Sequence, residues 1–332
     1  MSRRSLTLAL LWGFCLLPLS TPTTGEETTE GKLVVTCLEI PDIQRGVGLA
    51  IVLQTPGGHT FLYDTGTGYP DNDGWVGNFN AGRDSIAPLL KSLDVTQIDG
   101  VAISHAHLDH FGGLLWLVDH VPIKKLFDSG YTFMGEATPD YANELARYDR
   151  VRERFAGQPG AYQAAHAGDK LPWDDQLEIE VISPPAEFFS EPHPERRPAK
   201  DPPAHYLVNA NSLGLRIRHG KVVLLLPGDI QAEDQLQSLL PSVPAEKLRC
   251  QVLIAPGHGI HSVPEFALAT RPEVTVASVF TRYARTSPAL RVYGDVGSKV
   301  YLTGLSGAVR IVSDGVHYTV TTERPDPSPA KQ

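Results

Sequence analysis

The sequence predicts an α/β protein whose chemistry sits on turns at strand ends, and three observations carry this. Ile98-Asp99-Gly100-Val101-Ala102-Ile103 reads as a short buried strand. A polar turn follows, and Gly112-Gly113 then lead into a helix-like apolar run, Leu114-Leu115-Trp116-Leu117-Val118. The first third of the chain holds three β-branched or apolar runs, and the second half alternates strand-like with helix-like stretches.

In chain order, Arg3-Arg4 followed by the apolar run from Leu6 to Leu17 reads as a basic head and hydrophobic core of an export signal, too short to span a bilayer comfortably. Small and polar residues from Ser20 to Gly25 place cleavage near residue 25. The basic pair also loosely resembles a twin-arginine signal. Residues 26–322 then form one domain, and 323–332 a Pro-rich flexible tail. Strands are expected at 32–38, 48–53 and 59–63, with Pro56-Gly57-Gly58 as the turn between the last two. Residues 84–93 read as an amphipathic helix. From about 130 to 170 the chain is polar and helix-rich, and the charges of Glu144, Arg147, Arg150, Arg152, Glu153 and Arg154 read as a solvated face. Residues 184–204, rich in proline and charge, read as a loop of about 20 residues, a length typical of lids and disordered connections. Strands at 212–218 and 221–226, a helix at 231–240, a strand at 251–255 and strands near 274–280, 299–302, 307–312 and 316–321 complete the domain.

The turn after Ile103 carries the chemistry. It reads Ser104-His105-Ala106-His107-Leu108-Asp109-His110, and four of the six residues from 105 to 110 bear imidazole or carboxylate. Those groups bind zinc, iron or manganese. A site at the carboxyl end of a strand suits an α/β fold.

This run resembles the signature of the metallo-β-lactamase superfamily. Phe61-Leu62-Tyr63-Asp64-Thr65-Gly66, Leu224-Leu225-Leu226-Pro227-Gly228-Asp229 and Leu253-Ile254-Ala255-Pro256-Gly257-His258-Gly259 are similar to its other strand-end elements, in the same order, over about residues 33–320. Within the superfamily the chain is most similar to the hydrolase domain of the ComEC competence proteins and their free-standing relatives. The stretches Leu90 to Asp99, Asn209 to Ile217 and Lys299 to Ile311 carry that likeness. Two departures stand out. The family's Pro-His-His-Gly loop here reads Pro256-Gly257-His258-Gly259, and Ser287-Pro288 replaces a His-Pro pair.

The resemblance implies an αββα sandwich, two mixed sheets flanked by helices, with two divalent metal ions, zinc or manganese. It implies that His105 and His107 hold one ion, that Asp109, His110 and His258 hold the other, and that Asp229 bridges them. Asp109 would also position the nucleophilic water, and Asp64 would orient a ligand histidine by hydrogen bond. The family's third histidine for the first ion has no clear counterpart. His205, Asn209 and Asn211 are the candidates, with His166 and His193 read as surface residues. An amide there would favour manganese over zinc. The activity implied is hydrolysis by a metal-activated hydroxide, with a phosphodiester favoured. Alternatives are hydrolysis of a carboxylic ester, lactone or amide, and a non-catalytic metal-stabilised binding module.

Composition bounds the partners. With 332 residues and 42% hydrophobic content the chain can bury a substantial core, and its net charge of −9 argues against broad electrostatic binding to duplex DNA. Arg282, Arg285 and Arg291 form the one obvious basic cluster, read as solvated. The expected substrate is therefore a small molecule or short nucleic acid. No stable membrane insertion after signal removal and no protein partner are expected, and the mature protein is expected to be periplasmic or extracellular. Of the three cysteines, Cys15 leaves with the signal, and Cys37 and Cys250 read as small buried apolar residues rather than a disulfide.

Overall fold

A computed structural model describes residues 29–40, 48–68, 79–191 and 203–325. The export segment 1–25 with its twin arginines, the tail beyond residue 325, and residues 192–202 of the expected loop, His193 included, lie outside the described residues.

The strands run β1 (Leu33–Cys37), β2 (Ala50–Gln54), β3 (Thr60–Thr65), β4 (Gly100–Ala102), β5 (Leu126–Asp128), β6 (Tyr162–Ala164) and β7 (Leu177–Ser183). They continue as β8 (Gly214–His219), β9 (Val222–Leu226), β10 (Val252–Ile254), β11 (Val274–Ala277), β12 (Lys299–Leu302), β13 (Val309–Ser313) and β14 (Tyr318–Thr322). They form an eight-stranded sheet in the order β14-β13-β1-β2-β3-β4-β5-β6 and a six-stranded sheet in the order β12-β11-β10-β9-β8-β7. Both sheets are mixed. The hairpins β1-β2, β2-β3, β7-β8, β8-β9 and β13-β14 are antiparallel, whereas β3-β4-β5-β6 and β9-β10-β11-β12 run parallel.

Alternation along each strand sorts the side chains into layers. Leu33, Val35 and Cys37 of β1 join Leu215, Ile217, Leu224 and Leu226 of the facing sheet in a core between the two sheets. The opposite faces are covered by helices. Ala50, Val52 and Leu62 pack under α1 (Ala87–Ser92), α2 (Leu108–Phe111), α3 (Leu114–His120) and α4 (Pro139–Ala156). Val223, Leu225 and Leu253 pack under the helical stretches around Leu239, Phe266 and Val292. The result is the expected αββα sandwich. Truncating a fully buried core residue such as Ile217 to Ala would cost about 2–5 kcal/mol. Tyr63 ties the sheets together: its hydroxyl donates to Leu213 O at 2.8 Å and lies 3.1 Å from Leu226 O.

Several elements differ from expectation. The helix over 84–93 begins earlier, with a wide turn at Gly82–Ile86. Strands β5 and β6 are three residues each, too short to register as periodic runs. β7 alternates buried Leu177, Ile179 and Val181 with Glu178 and Glu180, whose charge masks the strand. Residues 203–210 form a helix, α5 (Pro203–Ala210), which begins within the loop expected over 184–204 and fills a stretch to which the sequence assigns no element. Two charges of α4 are turned inward and only partly solvated. Arg152 Nε donates to the buried Asp128 carboxylate at 2.8 Å, and Glu144 turns inward. Cys37 and Cys250 are free and buried, and burial pushes the Cys37 thiol up to about 12. Among the described residues no helix is long and apolar enough to cross a membrane.

Candidate metal centre

The parallel strands end at one edge, and the polar residues gather there. β3 delivers Asp64, β4 leads into Ser104 and the 105–110 turn, β9 into Asp229, β10 into His258 and β11 into Ser278. The turn lies close against β3, since a Cβ at Gly113 would stand 2.1 Å from Thr65 O. No other residue fits that approach.

Asp64 organises the floor. It is wholly buried; Oδ1 accepts from Ser104 N at 2.6 Å, and Oδ2 accepts from Ser104 Oγ at 2.7 Å and lies 2.8 Å from His110 Nδ1. His110 therefore donates from Nδ1, so that in the neutral imidazole Nε2 carries the lone pair facing outward. Ser104 Oγ, its proton given to Asp64, accepts from His105 Nδ1 at 2.8 Å. His105 Nε2 is then a lone pair too, buried and without a hydrogen-bond partner. His258 Nδ1 donates to Ser278 O at 3.1 Å, with the same consequence for its Nε2.

These nitrogens converge. His110 Nε2 lies 3.2 Å from His258 Nε2 and 3.4 Å from Asp229 Oδ2. His258 Nε2 lies 3.3 Å from Asp109 Oδ2 and 3.6 Å from Asp229 Oδ2. Two triads have ligand atoms within 4.8 Å of one another: His105, His110 and Asp229, and Asp109, His110 and His258. Lone pairs and carboxylates packed this closely repel unless protons or a metal cation lie among them. The titration behaviour says the same. Burial pushes the His110 and His258 imidazoles down, yet Asp229 and Asp109 pull both above the usual value, with Asp64 adding to the effect on His110. Burial pushes Asp229 up, and His110 and His258 overcome it and hold its carboxyl well below the usual range. The unpartnered His105 nitrogen and this borderline nitrogen and hard oxygen set fit divalent metal ions.

At the other end, burial holds the His107 imidazole down at about 4, so it is neutral at physiological pH. Its Nε2 lies 3.1 Å from His205 Nδ1. A cavity of about 280 Å³ opens here, lined by Thr67, His107, Leu108, Asp109, Glu144, His205, Asn209 and Asp229. His205 and Asn209 stand one turn apart on α5 and both reach the cavity, and Asn209 Oδ1 is buried without a partner. Asn211 does not serve as expected. Its Oδ1 accepts from Phe189 N, and its Nδ2 donates to Phe189 O and Leu207 O, so its amide braces the chain near Phe189. With an imidazole beside His107, the reason to prefer manganese over zinc is lost. His166 stands apart, its ring against Phe188.

Two residues at the centre escape the sequence reading. Glu144 lines the cavity and accepts from Leu108 N, at the start of the helix that carries Asp109 and His110. Tyr141 stacks its ring on His205, with centroids 3.8 Å apart. The available signal was their position: 141, 144, 148, 151 and 155 make one helical stripe, and Tyr141, Tyr148, Val151 and Phe155 are its buried members. A carboxylate on an apolar stripe marks an inward-facing group.

Comparison with known proteins agrees with the geometry. The model of the metallo-β-lactamase superfamily matches residues 43–230, more than half of the chain. The chain is 26% identical over 305 residues to competence protein ComA of Neisseria gonorrhoeae, covering 90% of this chain and 35% of that protein. It is 26% identical over 174 residues to ComE operon protein 3 of Bacillus subtilis, covering 52% of this chain and 19% of that one. The chain thus spans about a third or less of the length of these relatives. A solved structure, the diiron β-hydroxylase CmlA of Streptomyces venezuelae, aligns over 86% of this chain and 54% of its own, at 15% identity and a TM-score of 0.46. The chain belongs to the metallo-β-lactamase superfamily.

Proposed function

We propose that the protein is an exported phosphodiester hydrolase that works with two divalent cations, zinc or manganese. His105, His107, Asp109, His110, Asp229 and His258 hold them, and His205 and Asn209 complete the set beside His107. The observation that carries this reading is the approach of His110 and His258 Nε2 to within 3.2 Å of each other between two carboxylates. Two cations at such a centre lower the pKa of a shared water toward neutrality and offset charge on the substrate oxygen.

The chain's own residues do the rest. Asp64 and Ser278 O fix the tautomers of His110 and His258, so each presents a lone pair. Asp109, on the cavity wall, positions the attacking water. The substrate enters along Glu144, His205 and Asn209, whose carboxylate and amide set the polarity of that wall. Likeness to competence proteins supports a phosphodiester, and the net charge of −9 supports a small diester or short strand over long duplex DNA. The basic, apolar N-terminal segment supports export to the periplasm or the exterior.

The test is metal analysis of the purified protein with a panel of chromogenic phosphodiesters, lactones, esters and β-lactams, short single strands and plasmid. Diester and short-strand turnover is expected, lost in Asp109→Ala with the far-UV spectrum unchanged. Turnover of a lactone or ester without any diester, or an Asp109→Ala variant near wild-type activity, would show the reading to be wrong.

A further inference from the structure

We propose that Tyr141 is a positioning residue of the metal centre: its ring sets the imidazole of His205 against His107, so α4 fixes the third nitrogen beside His105 and His107. The inference rests on the reading that His107 holds a cation. It concerns a helix that contributes no strand-end motif.

Three rings meet at this end of the cavity. Tyr141 lies on His205 with centroids 3.8 Å apart and planes 24° from parallel. His205 lies 5.1 Å from His107 at 25°, and Tyr141 approaches His107 at 5.4 Å. Nδ1 of His205 is thereby held 3.1 Å from Nε2 of His107, a separation at which two imidazole nitrogens share a cation or a proton. Tyr141 itself is buried, and its place in the first turn of α4 is fixed by Thr138 Oγ1, which accepts from Tyr141 N. One turn on, Glu144 accepts from Leu108 N, so the same helix grips the turn that carries Asp109 and His110. α4 is thus clamped to the metal-binding turn at one point and stacked on α5 at the next. A small shift of α4 would move the His205 and His107 nitrogens apart.

The Tyr141 hydroxyl is buried and makes no hydrogen bond among the described residues. The ring, not the hydroxyl, must therefore supply the positioning. That separates two variants cleanly: Tyr141→Phe keeps the stacking surface, whereas Tyr141→Met keeps the bulk but replaces a rigid plane with a flexible chain.

The experiment strips metal from the full chain and titrates zinc against a chromogenic chelator, then repeats the titration with cobalt(II) and reads its visible absorption. Wild type and Tyr141→Phe should take up two ions with the same affinities and the same cobalt spectrum. Tyr141→Met should bind one ion about 10- to 100-fold more weakly, as loss of an orienting partner does, with a changed cobalt spectrum. His205→Ala should do the same, and the double variant should be no worse than His205→Ala alone. Tyr141→Leu serves as a second truncation, and far-UV spectra with urea midpoints identify any variant that does not fold. Wild-type affinity and spectrum in Tyr141→Met, or equal damage in Tyr141→Phe, would overturn the inference while two-ion binding by wild type leaves the function standing. A wild-type protein that binds no metal would overturn both.

Discussion

Replacing Asp64 by Asn isolates the part of the centre that sets the second cation. Asp64 sits at φ 56°, in the left-handed region, where Asn is tolerated and the backbone has no reason to move. Asn is also the same size. Its Oδ1 can still accept from Ser104 N, but Nδ2 now stands where Oδ2 accepted from Ser104 Oγ and His110 Nδ1. An amide N–H cannot face the Nδ1–H of His110. The proton on His110 must shift to Nε2, the atom that points at Asp229, Asp109 and His258. The ring stays in place and offers a proton where a lone pair is needed.

Two magnitudes follow. A hydrogen bond to a charged partner contributes about 1.5–3 kcal/mol, so metal-free Asp64→Asn should lose that much in urea unfolding. Loss of the orienting partner should weaken the cation held by Asp109, His110 and His258 by about 10- to 100-fold. Asp64→Ala should be worse in stability, because a left-handed alanine adds about 1–2 kcal/mol. The assay is a two-step metal titration of the stripped protein, beside urea melts of the same samples. If Asp64→Asn binds both ions with wild-type affinity, the tautomer argument is wrong. If both steps weaken equally with an intact fold, Asp64 acts on the whole floor and not through His110.

Other perturbations read different links of the chain. Tyr63→Phe strips the buried carbonyls of Leu213 and Leu226 of their shared donor, and should lower unfolding free energy by about 1–3 kcal/mol while metal stoichiometry stays the same. The carboxylates hold His110 and His258 protonated above the usual imidazole range in the metal-free protein, so metal must displace protons there. Affinity should rise as pH rises through and beyond that range, and calorimetry in buffers of different ionisation enthalpy should show proton release near neutrality; buffer-independent heats would contradict it. Gly257→Ala forces a left-handed alanine, φ 52°, with its Cβ 2.1 Å from His261 Cδ2. It should lower stability by about 1–2 kcal/mol and weaken the cation at His258, read by the same titration.

What the sequence made legible follows from how locally each feature is encoded. The 105–110 turn needs no tertiary information, because its groups are adjacent and the strand before it is apolar. Asp229 and His258 are single residues in ordinary surroundings, and only the likeness of their strand-end runs to a family points to them. Asn211 shows the limit of that approach. Residue type and proximity to Asn209 suggest a ligand, but partners at Phe189 and Leu207 decide where the amide is spent. His205 and Asn209 become a pair only because residues 203–210 are helical, which the Pro- and charge-rich stretch before them hides. Glu144 reads as part of a solvated face with its arginine neighbours. Its inward turn depends on the N–H of Leu108, a partner 36 positions away.

The two positions at which the sequence departs from the competence-protein pattern, Gly257 and Ser287, meet at one loop. Gly257 and His258 both adopt left-handed backbone, at φ 52° and 56°, which turns His258 Nε2 toward Asp109 and Asp229. The space a side chain at 257 would enter is filled by the ring of His261. The next residue, Gly259, is walled by Ala277, Ala289 and Ser287, whose Oγ would lie 3.2 Å from any Cβ there. Ser287 is therefore pressed against the histidine loop, its hydroxyl buried and without a partner. A bulky imidazole at 287 would push on the same backbone that aims His258. Small residues on both sides let the loop close tightly over His258. On the proposed function, neither Gly257 nor Ser287 offers the substrate an imidazole, which is the chemical reason to expect a small diester or short strand.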